Sequence, residues 1–459
     1  MNNWNHKDPS LWLAGIVALV VGALVVQLPL HNDEAGSYMV FISKGLKHCL
    51  TVYSNTNNHV LYSALSTLFV KLPIHPFVGI RLASFLAFLG NAFLIYKISR
   101  LYRETKWNFI GVLLWIGSFG GLYYSIHARG YGLQTMFSLV ALYLVISIID
   151  KGKSNDRKYW LALALSCALG FFTLPTFLFP FVSIMSLLVI RKYQDRTLRQ
   201  DGFNMVLFLG LMGLIGLVCY APILHYSGLS NLIDNQWVHE RKLANLSSGS
   251  VQLFMVDTAH IIGYMIIPAV VLLFVQFLSE KKLKNDSLML TLFIVGPMLI
   301  MVIMKTLPFP RTFSYLCAII SIYIAIQCSS VQFLNRKKVI SAVLLSATII
   351  FFLQAGNLWE KGKKGTAVQA QKLRGELIAA GIDTVYTDGF SEVGFLTNFY
   401  LWNDGEPPKV FEIYSKDFIS TLREKNGRYF IQTNSWEGTF EPALECGKIT
   451  VVDANKPLR

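Results

Sequence analysis

The chain has 459 residues, of which 53% are hydrophobic and only 15% are charged, and its mean hydropathy is +0.47. This composition excludes an ordinary soluble globular protein, because such proteins carry about 25% charged residues. The net charge of +14 would suit a nucleic-acid-binding protein. However, the basic residues lie in alternate short loops between apolar stretches, so no nucleic-acid partner is needed to explain the charge.

Apolar stretches recur along the chain with the length that an α-helix needs to cross the hydrocarbon core of a membrane. They predict a polytopic α-helical membrane protein with about eleven membrane-spanning helices. The predicted spans are residues 11–30, 79–97, 108–126, 131–149, 159–174, 176–190, 203–224, 257–279, 287–304, 312–332 and 339–356. The shorter apolar segment 59–72 is predicted to lie as a helix in the outer interface, because counting it as a span would invert every later loop.

Five clusters of lysine and arginine define the orientation, since basic loops stay in the cytoplasm. The clusters are Lys97, Arg100, Arg103 and Lys106; Lys151, Lys153, Arg157 and Lys158; Arg191, Lys192, Arg196 and Arg199; Lys281, Lys282 and Lys284; and Arg336, Lys337 and Lys338. We therefore expect a cytoplasmic N-terminus and an extracytoplasmic tail. We also expect an uncleaved first span, because its apolar run is too long for a signal peptide. The composition fits a bacterial inner membrane or the endoplasmic reticulum, and we expect the bacterial inner (plasma) membrane.

The first predicted span runs directly into the hexapeptide His-Asn-Asp-Glu-Ala-Gly at residues 31–36. Asp33 and Glu34 therefore lie where the helix leaves the bilayer. Charges are costly near a membrane, so an acidic pair at this boundary predicts a functional site. The alternative is the solvated start of a loop.

Several cations from distant parts of the sequence are predicted to lie at the same outer face. Arg129 lies in the connection 127–132, Lys305 and Arg311 lie in a proline-containing connection, and Arg81 lies at the start of the second span. Long basic side chains near helix ends often reach for lipid headgroups. The planar guanidinium of arginine is also well suited to phosphate. Together with the acidic pair, these cations favour a site for an anionic lipid headgroup beside a carboxylate base.

Six cysteines offer no metal or redox motif, because no CxxC or Cys/His spacing is present. Four of them lie within predicted spans, where cysteine behaves as a small hydrophobe. Cys49 and Cys446 are both predicted to be extracytoplasmic and could pair, although nothing in the sequence argues for this bridge.

Residues 357–459 are predicted to form a small C-terminal α/β extracytoplasmic domain, separate from a transmembrane catalytic domain at residues 1–356. A helix at 366–380 precedes short β-branched runs, and helical patterns at 391–402 and 416–425 lie between these runs. The predicted strands are residues 384–386, 410–413, 429–431 and 449–452. Alternating strands and helices indicate a small parallel sheet. No glycine-rich phosphate loop is present, and we expect the domain to cap or shape the outer site.

The order of these motifs resembles that of the GT-C glycosyltransferases, which include the protein O-mannosyltransferases and the lipid A aminoarabinose transferases. The motifs are the Asp33-Glu34 pair, Asn-His-Val-Leu-Tyr at 58–62, Arg81, His-Ala-Arg-Gly-Tyr-Gly at 127–132 and Pro-Arg-Thr-Phe at 310–313. The resemblance covers roughly residues 1–356. This chain has His-Val-Leu where the family often has His-Pro-Pro-Leu. It has Arg-Gly-Tyr-Gly-Leu where the family often has Arg-x-Tyr-Ser/Ala-Leu. These departures leave the sugar and the acceptor open.

The resemblance implies transfer of a sugar from a polyprenyl-phosphate donor to a hydroxyl group of a protein, lipid or cell-envelope glycan on the extracytoplasmic side. Asp33 would be the general base in a single displacement that inverts the anomeric centre. Glu34 would orient the acceptor or hold a metal. Cations would stabilise the charge that develops on the leaving phosphate. The implied substrate-binding residues are Arg129, Arg311, Lys305, His59, Arg81, His127 and Tyr131.

No cofactor is certain, but a divalent metal is an open alternative. Candidate ligands are Asp33, Glu34, His31, His59 and His127, although their spacing is not diagnostic of a metal site. Two other functions stay open: a transporter or flippase for lipid-linked sugars, and a non-catalytic subunit that binds glycans. Transporters place charges near the membrane midplane, often within internal repeats. Here the charges cluster at one face and no repeat is found, which favours the enzyme.

Overall fold

The computed structural model describes residues 9–54, 56–233, 241–242, 247–280, 285–382, 384–387, 410–412, 429–431, 440–446 and 449–457. Most of this part of the chain is α-helical. Its helices are α1 (Pro9–Gln27), α2 (Asn32–Val40), α3 (Leu46–Thr51), α4 (Val60–Phe69), α5 (Pro76–Tyr102), α6 (Trp107–Gly117), α7 (Phe119–Ile126), α8 (Tyr131–Asp150), α9 (Arg157–Thr173), α10 (Leu178–Gln194), α11 (Gly202–Tyr226), α12 (Gly228–Ile233), α13 (Ser248–Ile262), α14 (Ile266–Glu280), α15 (Asn285–Met304), α16 (Tyr315–Ser330), α17 (Lys337–Lys363) and α18 (Thr366–Ala379).

Among the described residues, eight helical segments are long and apolar enough to cross a membrane, or ten if each of two bent helix pairs is one span. The bent pairs are α1 with α2 and the following turn, and α6 with α7. The polytopic fold predicted from the sequence is confirmed. Fewer than the expected eleven segments are long and apolar enough to cross a membrane. Helix α9, predicted as span 159–174, is not among these ten segments, and its 17 residues lie at the lower end of the length that crosses a membrane.

Short helices α2, α3 and α4 lie between the first two long apolar helices. Helix α4 has only ten residues, or about 15 Å of rise, whereas the hydrocarbon core is about 30 Å thick. It therefore cannot cross a membrane. The prediction that segment 59–72 forms a helix that is not a span is confirmed, and its location in the outer interface stays a prediction.

Helix α16 forms the centre of the helical bundle. Within its segment Pro310–Ser330, 94% of the most apolar stretch is buried, against 11% for α11. It packs against α5, α6, α8 and α15, whereas α11 presents leucine and valine side chains outward. An apolar helix that is buried all round belongs in the interior of a bundle, and exposed apolar faces suit contact with lipid.

A sharp bend of 72° separates α6 from α7. Ser118 lies in this bend, where its hydroxyl donates to the carbonyl of Trp115 at 2.6 Å and accepts from the backbone N–H of Gly121 at 3.1 Å. The chain folds back so tightly that a Cβ atom on Gly121 would lie 2.0 Å from the Trp115 carbonyl oxygen. The bend therefore requires glycine, and it turns α7 toward the ends of α2 and α8.

The C-terminal segment forms a five-stranded mixed sheet of β1 (Val385–Thr387), β2 (Val410–Glu412), β3 (Tyr429–Ile431), β4 (Phe440–Cys446) and β5 (Ile449–Pro457), in the order β2-β1-β3-β5-β4. Strand β1 is parallel to β2 and β3, as predicted, but β5 is antiparallel to both β3 and β4. Only two residues separate β4 from β5, and so short a connection joins antiparallel neighbours.

The core of this α/β unit is small and apolar. Leu373 and Leu377 of α18 are buried together with Val385, Ile431 and Val451 from three strands. The α/β class predicted for the tail is confirmed, although strand β4 was missed because its Phe-Glu-Pro-Ala-Leu-Glu-Cys sequence lacks β-branched residues. The predicted helices 391–402 and 416–425 lie outside the described residues.

Cysteines whose side chains the structure describes are all free thiols. Cys49 is among them and is buried. The bridge to Cys446 that the sequence left open is therefore not formed at Cys49. Cys167, Cys219, Cys317 and Cys328 lie within long helices, consistent with their expected role as small apolar side chains.

The bend at Ser118 gives a first testable prediction. Gly121→Ala should destabilise the protein by about 1–3 kcal/mol, because the added methyl group overpacks a backbone contact. Gly210→Ala is the matched control, since a Cβ atom on Gly210 of α11 meets nothing within 4 Å. Thermal unfolding in detergent should show a lower midpoint for Gly121→Ala only. Equal midpoints for the two variants would refute the tight bend.

Candidate active site

A buried ion pair between Arg81 and Glu34 lies behind the site. Both side chains are completely buried. Arg81, in the second turn of α5, donates from Nε to Glu34 Oε1 at 2.8 Å and from Nη2 to Oε2 at 2.7 Å. It also donates from Nη1 to the carbonyls of Val25 and Leu28 at the end of α1, and from Nη2 to that of Pro29. This bidentate geometry fixes the beginning of α2 relative to α1 and α5.

Glu34 uses its remaining acceptor positions on backbone donors. Its carboxylate accepts from the N–H of His31 at 2.8 Å and from that of Ala128 at 2.5 Å. Burial by itself would raise the pKa of Glu34, but the Arg81 charge, the nearby His127 and the hydrogen bonds from Arg81 and His31 together outweigh burial, and the pKa falls to about 2. Glu34 was predicted to orient the acceptor or hold a metal. Because protein donors occupy both of its oxygens, it instead ties four segments of the chain together.

His31 is the N-cap residue of α2, and its ring forms a capping box with Glu34. Nδ1 of the ring accepts from the backbone N–H of Asp33 at 3.3 Å. This arrangement satisfies donors at the start of the helix that would otherwise lack partners. It also places Asp33 in the first turn of α2, where the helix dipole favours negative charge.

Asp33 projects from the same turn toward two arginines that the sequence had suggested as its neighbours. Its Oδ2 lies 3.0 Å from Arg311 Nη1 and 3.7 Å from Arg129 Nη2. The Asp33 side chain is 25% exposed, whereas that of Arg129 is only 4% exposed. Burial would raise the pKa of Asp33, but the charges of Arg129 and Arg311 outweigh it and lower the pKa. Asp33 is therefore a partly accessible carboxylate.

Arg129 is aligned by side chains from α2 and from the loop before α4. Its guanidinium donates to Ser37 Oγ at 3.3 Å and to Asn57 Oδ1 at 3.1 Å. Arg311 lies in the 3₁₀ turn that leads into α16. Among the described residues, the buried Nε atoms of Arg129 and Arg311 have no hydrogen-bond partner. Each guanidinium thus has one N–H donor that the surrounding described residues do not use.

His59 and His127 are buried and uncharged. Burial, and then the charges of Arg129 and Arg311, holds the pKa of His59 well below its usual value. Its Nδ1 accepts from the backbone N–H of Gly130 at 2.7 Å, so it orients the arginine-bearing loop. Burial also lowers the pKa of His127, to about 4. The His127 ring stacks on Tyr123 with 3.8 Å between centroids.

These side chains enclose a cavity of about 60 Å³, which lies where α2, α7, α8 and the 3₁₀ turn meet. Its lining residues are His31, Asp33, Glu34, Tyr123, Tyr124, His127, Arg129, Tyr131 and Arg311. Six of the nine predicted site residues are therefore brought together. Arg81 and His59 lie directly behind the lining, where they contact Glu34 and Gly130.

Lys305 is the exception among the predicted residues. It is exposed, adopts a left-handed conformation with φ of 50°, and does not line the cavity. Three lining residues were absent from the predicted set of site residues. Tyr123 and Tyr124 lie at the end of a predicted span, where aromatic residues are common at the membrane interface, and His31 had been considered only as a candidate metal ligand.

The described residues do not support a metal site. They contain no group of three or more His, Cys, Asp and Glu side chains arranged to hold a metal ion. Glu34 is committed to Arg81, and Asp33 faces two arginines, whose positive charges oppose a bound cation. The set of donors suits an anion better than a metal.

A family model described as dolichyl-phosphate-mannose-protein mannosyltransferase matches residues 59–226 of the chain. That segment contains His59, Arg81 and the Arg129 loop. No curated protein matches the chain by sequence. The family model is consistent with the resemblance predicted from the order of the motifs.

Solved structures with the same fold span nearly the whole chain. ArnT from Cupriavidus metallidurans bound to undecaprenyl phosphate aligns with a TM-score of 0.72 at 11% identity, covering 97% of each chain. The oligosaccharyltransferase AglB from Archaeoglobus fulgidus, in complex with an inhibitory peptide and a dolichol-phosphate, aligns with a TM-score of 0.55 at 10% identity, covering 95% of this chain and 70% of that chain. The predicted resemblance to the GT-C glycosyltransferases is confirmed at the level of the fold.

The different surroundings of the two carboxylates give a second testable prediction. Glu34→Gln should destabilise the protein by about 3–5 kcal/mol, because it leaves the buried Arg81 charge uncompensated. Asp33→Asn should cost much less, since Asp33 is partly exposed and Arg129 keeps its hydrogen bonds to Ser37 and Asn57. Thermal unfolding of both variants in detergent measures the difference. Similar losses of stability would contradict the separate roles.

The stabilisation that Glu34 provides through its ion pair with Arg81 should also depend on pH. The folded pKa of Glu34 is about 2, below its ordinary value of 4.5. Its stabilisation should therefore be fully present above about pH 4.5 and be lost as the pH falls toward 2. The stability difference between the wild type and Glu34→Gln should be constant from pH 6 to 8.

Proposed function

We propose that the protein is a membrane glycosyltransferase that transfers a sugar from a polyprenyl-phosphate donor to a hydroxyl acceptor. One observation carries this proposal: Arg129 and Arg311, from distant parts of the sequence, converge on the accessible carboxylate of Asp33 in a single cavity. An acid–base group beside two phosphate-binding cations is the combination that such a reaction requires. The transferred sugar would be a hexosyl or a pentosyl group.

The two arginines would bind the phosphate of the donor. Their planar forks match phosphate oxygens, and each keeps a buried, unpartnered Nε among the described residues. Structures of the same fold in complex with undecaprenyl phosphate and with a dolichol-phosphate support this type of lipid carrier. Tyr131 and His127 line the same cavity and would contact the substrate, whereas Arg81 and His59 would hold the binding loops in place.

Asp33 would remove the proton of the acceptor hydroxyl as its oxygen bonds to the anomeric carbon. The bond between that carbon and the phosphate oxygen breaks in the same displacement, so the configuration inverts. The phosphodiester donor carries one negative charge, and the released polyprenyl phosphate carries two. Asp33 loses its charge by accepting the proton, so the total charge is conserved.

This exchange of charge explains why the base lies against the same arginines that would hold the phosphate. In the absence of substrate, Asp33 is their counterion. When Asp33 becomes protonated, Arg129 and Arg311 lose their ion pairs with it. They can then bind the leaving phosphate more strongly, at the same time as the negative charge of the phosphate increases. Interactions that strengthen in the transition state accelerate the reaction, whereas those made equally in the ground state do not.

The distribution of basic residues supports a site on the extracytoplasmic side. Helix α5 begins near Arg81 and ends near the basic residues Arg100 and Arg103, and α8 begins at the cavity and ends before Lys151. The basic clusters thus lie at the ends of these helices away from the site, and positive loops remain cytoplasmic. We accordingly propose a cytoplasmic N-terminus, and the bacterial inner membrane stays the location expected from the sequence.

With α9 as an eleventh span, the same orientation would put residues 357–459, predicted as a domain separate from the catalytic portion 1–356, on the outside, where α17 continues to Lys363. The acceptor would be a protein, a lipid or a cell-envelope glycan that reaches the cavity from this side. The hydrocarbon part of the donor would remain among the membrane lipids. No nucleic acid takes part in the proposed reaction.

A third prediction separates binding from chemistry. Asp33→Asn should reduce the rate of transfer about 10²- to 10⁴-fold, because the general base is lost. The same variant should bind undecaprenyl phosphate at least as tightly as the wild type, since the arginines lose a competing anion. Arg311→Gln should weaken that binding. Mass spectrometry of products from a panel of undecaprenyl-phosphate sugars, with a parallel lipid-binding assay, measures both.

The outcomes distinguish the alternatives. If the Asp33→Asn variant transferred sugar at the normal rate, Asp33 would not be the general base. A transporter of lipid-linked sugars would move the lipid across proteoliposomes without forming a glycosylated product. A wild-type protein that binds undecaprenyl phosphate yet transfers no sugar from any donor would refute the enzymatic proposal.

A fourth prediction concerns the pH dependence of the reaction. The base must be deprotonated, and the pKa of Asp33 in the free protein lies below its ordinary value of 3.8. Hence kcat/KM should stay constant down to the lowest pH at which the protein remains folded. Bound donor phosphate competes for the arginines and should raise the pKa of Asp33, so kcat should decline at a higher pH. If kcat and kcat/KM declined at the same low pH, the result would argue against the charge exchange.

A further inference from the structure

A short described segment, Arg241 and Lys242, pairs with the connection that carries Arg311. Lys242 forms an antiparallel bridge with Thr306, and the backbone N–H of Leu307 donates to the carbonyl of Arg241 at 2.9 Å. Two parts of the chain that are distant in sequence are thereby joined beside the cavity. Arg241 belongs to none of the motifs identified in the sequence.

The Arg241 side chain adds a second set of contacts to the same connection. Its Nε donates to the carbonyl of Leu307 at 2.9 Å, and its Nη2 donates to that of Pro308 at 3.0 Å. Its guanidinium carbon lies 4.8 Å from the centroid of the Phe309 ring. The guanidinium carbon of Arg311 lies 4.6 Å from the same centroid. Arg241 therefore contacts the three residues that precede Pro310 and Arg311.

The connection needs such support because its own backbone supplies little. Lys305 has a φ of 50°, a conformation that is uncommon for residues other than glycine. Pro308 and Pro310 lack the N–H groups that would fix the chain through hydrogen bonds. The direction of Arg311 depends on this turn, since it is the second residue of the 3₁₀ segment Pro310–Phe313.

Arg241 does not replace Arg311 as a phosphate ligand in this geometry. Two of its donor groups are directed at backbone carbonyls, and it is absent from the cavity lining. Burial, followed by the nearby charge of Arg311, lowers the pKa of Arg241. Two guanidinium groups this close repel each other, and the Phe309 ring and the carbonyl oxygens offset that repulsion.

We propose that Arg241 is a positioning residue that latches the 305–311 connection and so aims Arg311 at Asp33 and at the donor phosphate. The contacts of Arg241 with the connection are sufficient to support the latch. Its effect on phosphate binding rests on the proposed function. The fork of donors is essential to the latch, because one guanidinium spans two successive carbonyls. A lysine at position 241 would keep the charge but could not make both contacts.

The experiment uses the full-length protein in detergent, with undecaprenyl phosphate as the probe. Arg241→Ala and Arg241→Lys should both weaken its binding about five- to thirtyfold, the coupling expected of contacting residues. In an Arg311→Gln background, Arg241→Ala should produce no further loss, because its effect passes through Arg311. Hydrogen exchange should become faster in residues 305–313 of Arg241→Ala with or without the lipid.

Each alternative outcome overturns a defined part of the inference. Restored binding in Arg241→Lys, or additive losses in the double variant, would mean that Arg241 contacts phosphate directly through its charge. Unchanged hydrogen exchange in residues 305–313 would refute the latch itself. Normal lipid binding by Arg311→Gln would refute the phosphate role in the proposed function, while faster exchange in Arg241→Ala would still support the latch.

Discussion

The buried pair of Arg81 and Glu34 is the interaction on which the site depends. Removing two charges from water is costly, and their attraction compensates only when the geometry is good and the remaining hydrogen-bonding positions are filled. Both conditions hold here: the pair is bidentate, Arg81 reaches carbonyls at the end of α1, and Glu34 accepts from His31 and Ala128. Helices α1, α2 and α5 and the loop of Arg129 consequently meet in one arrangement.

Two adjacent carboxylates acquire different roles because successive helical residues point about 100° apart. Glu34 is completely buried and is held as an anion by Arg81, and both of its oxygens accept hydrogen bonds from the protein. Asp33 faces the cavity and contacts arginines that a ligand could also engage. Pairs of like groups in different environments commonly divide structural and chemical functions in this way.

The cavity has a volume of about 60 Å³, which is more than the space that a single ordered water molecule needs. The contact of Asp33 with Arg311 bridges the cavity. Donor binding would therefore weaken this contact, and protonation of Asp33 during the reaction would complete the release of Arg311 to the phosphate. The Arg241 latch would keep Arg311 in place during this exchange.

Sequence by itself determined the features that depend on local composition. Apolar length identified the membrane helices, and the alternation of basic loops gave the expected orientation. Motif order pointed to the fold and to Asp33, Arg129 and Arg311, which the structure brings together. Propensity also located four of the five strands, because β-branched runs are a local signal.

Only the tertiary structure decided which groups become partners. The pairing of Glu34 with Arg81, the exclusion of Lys305 from the cavity and the contacts of Arg241 all join segments far apart in sequence. The antiparallel direction of β5 likewise depends on its neighbours in the sheet. Composition and periodicity report the environment of each segment. They do not report the distances between segments, and those distances decide which charges compensate each other and which stay available for a substrate.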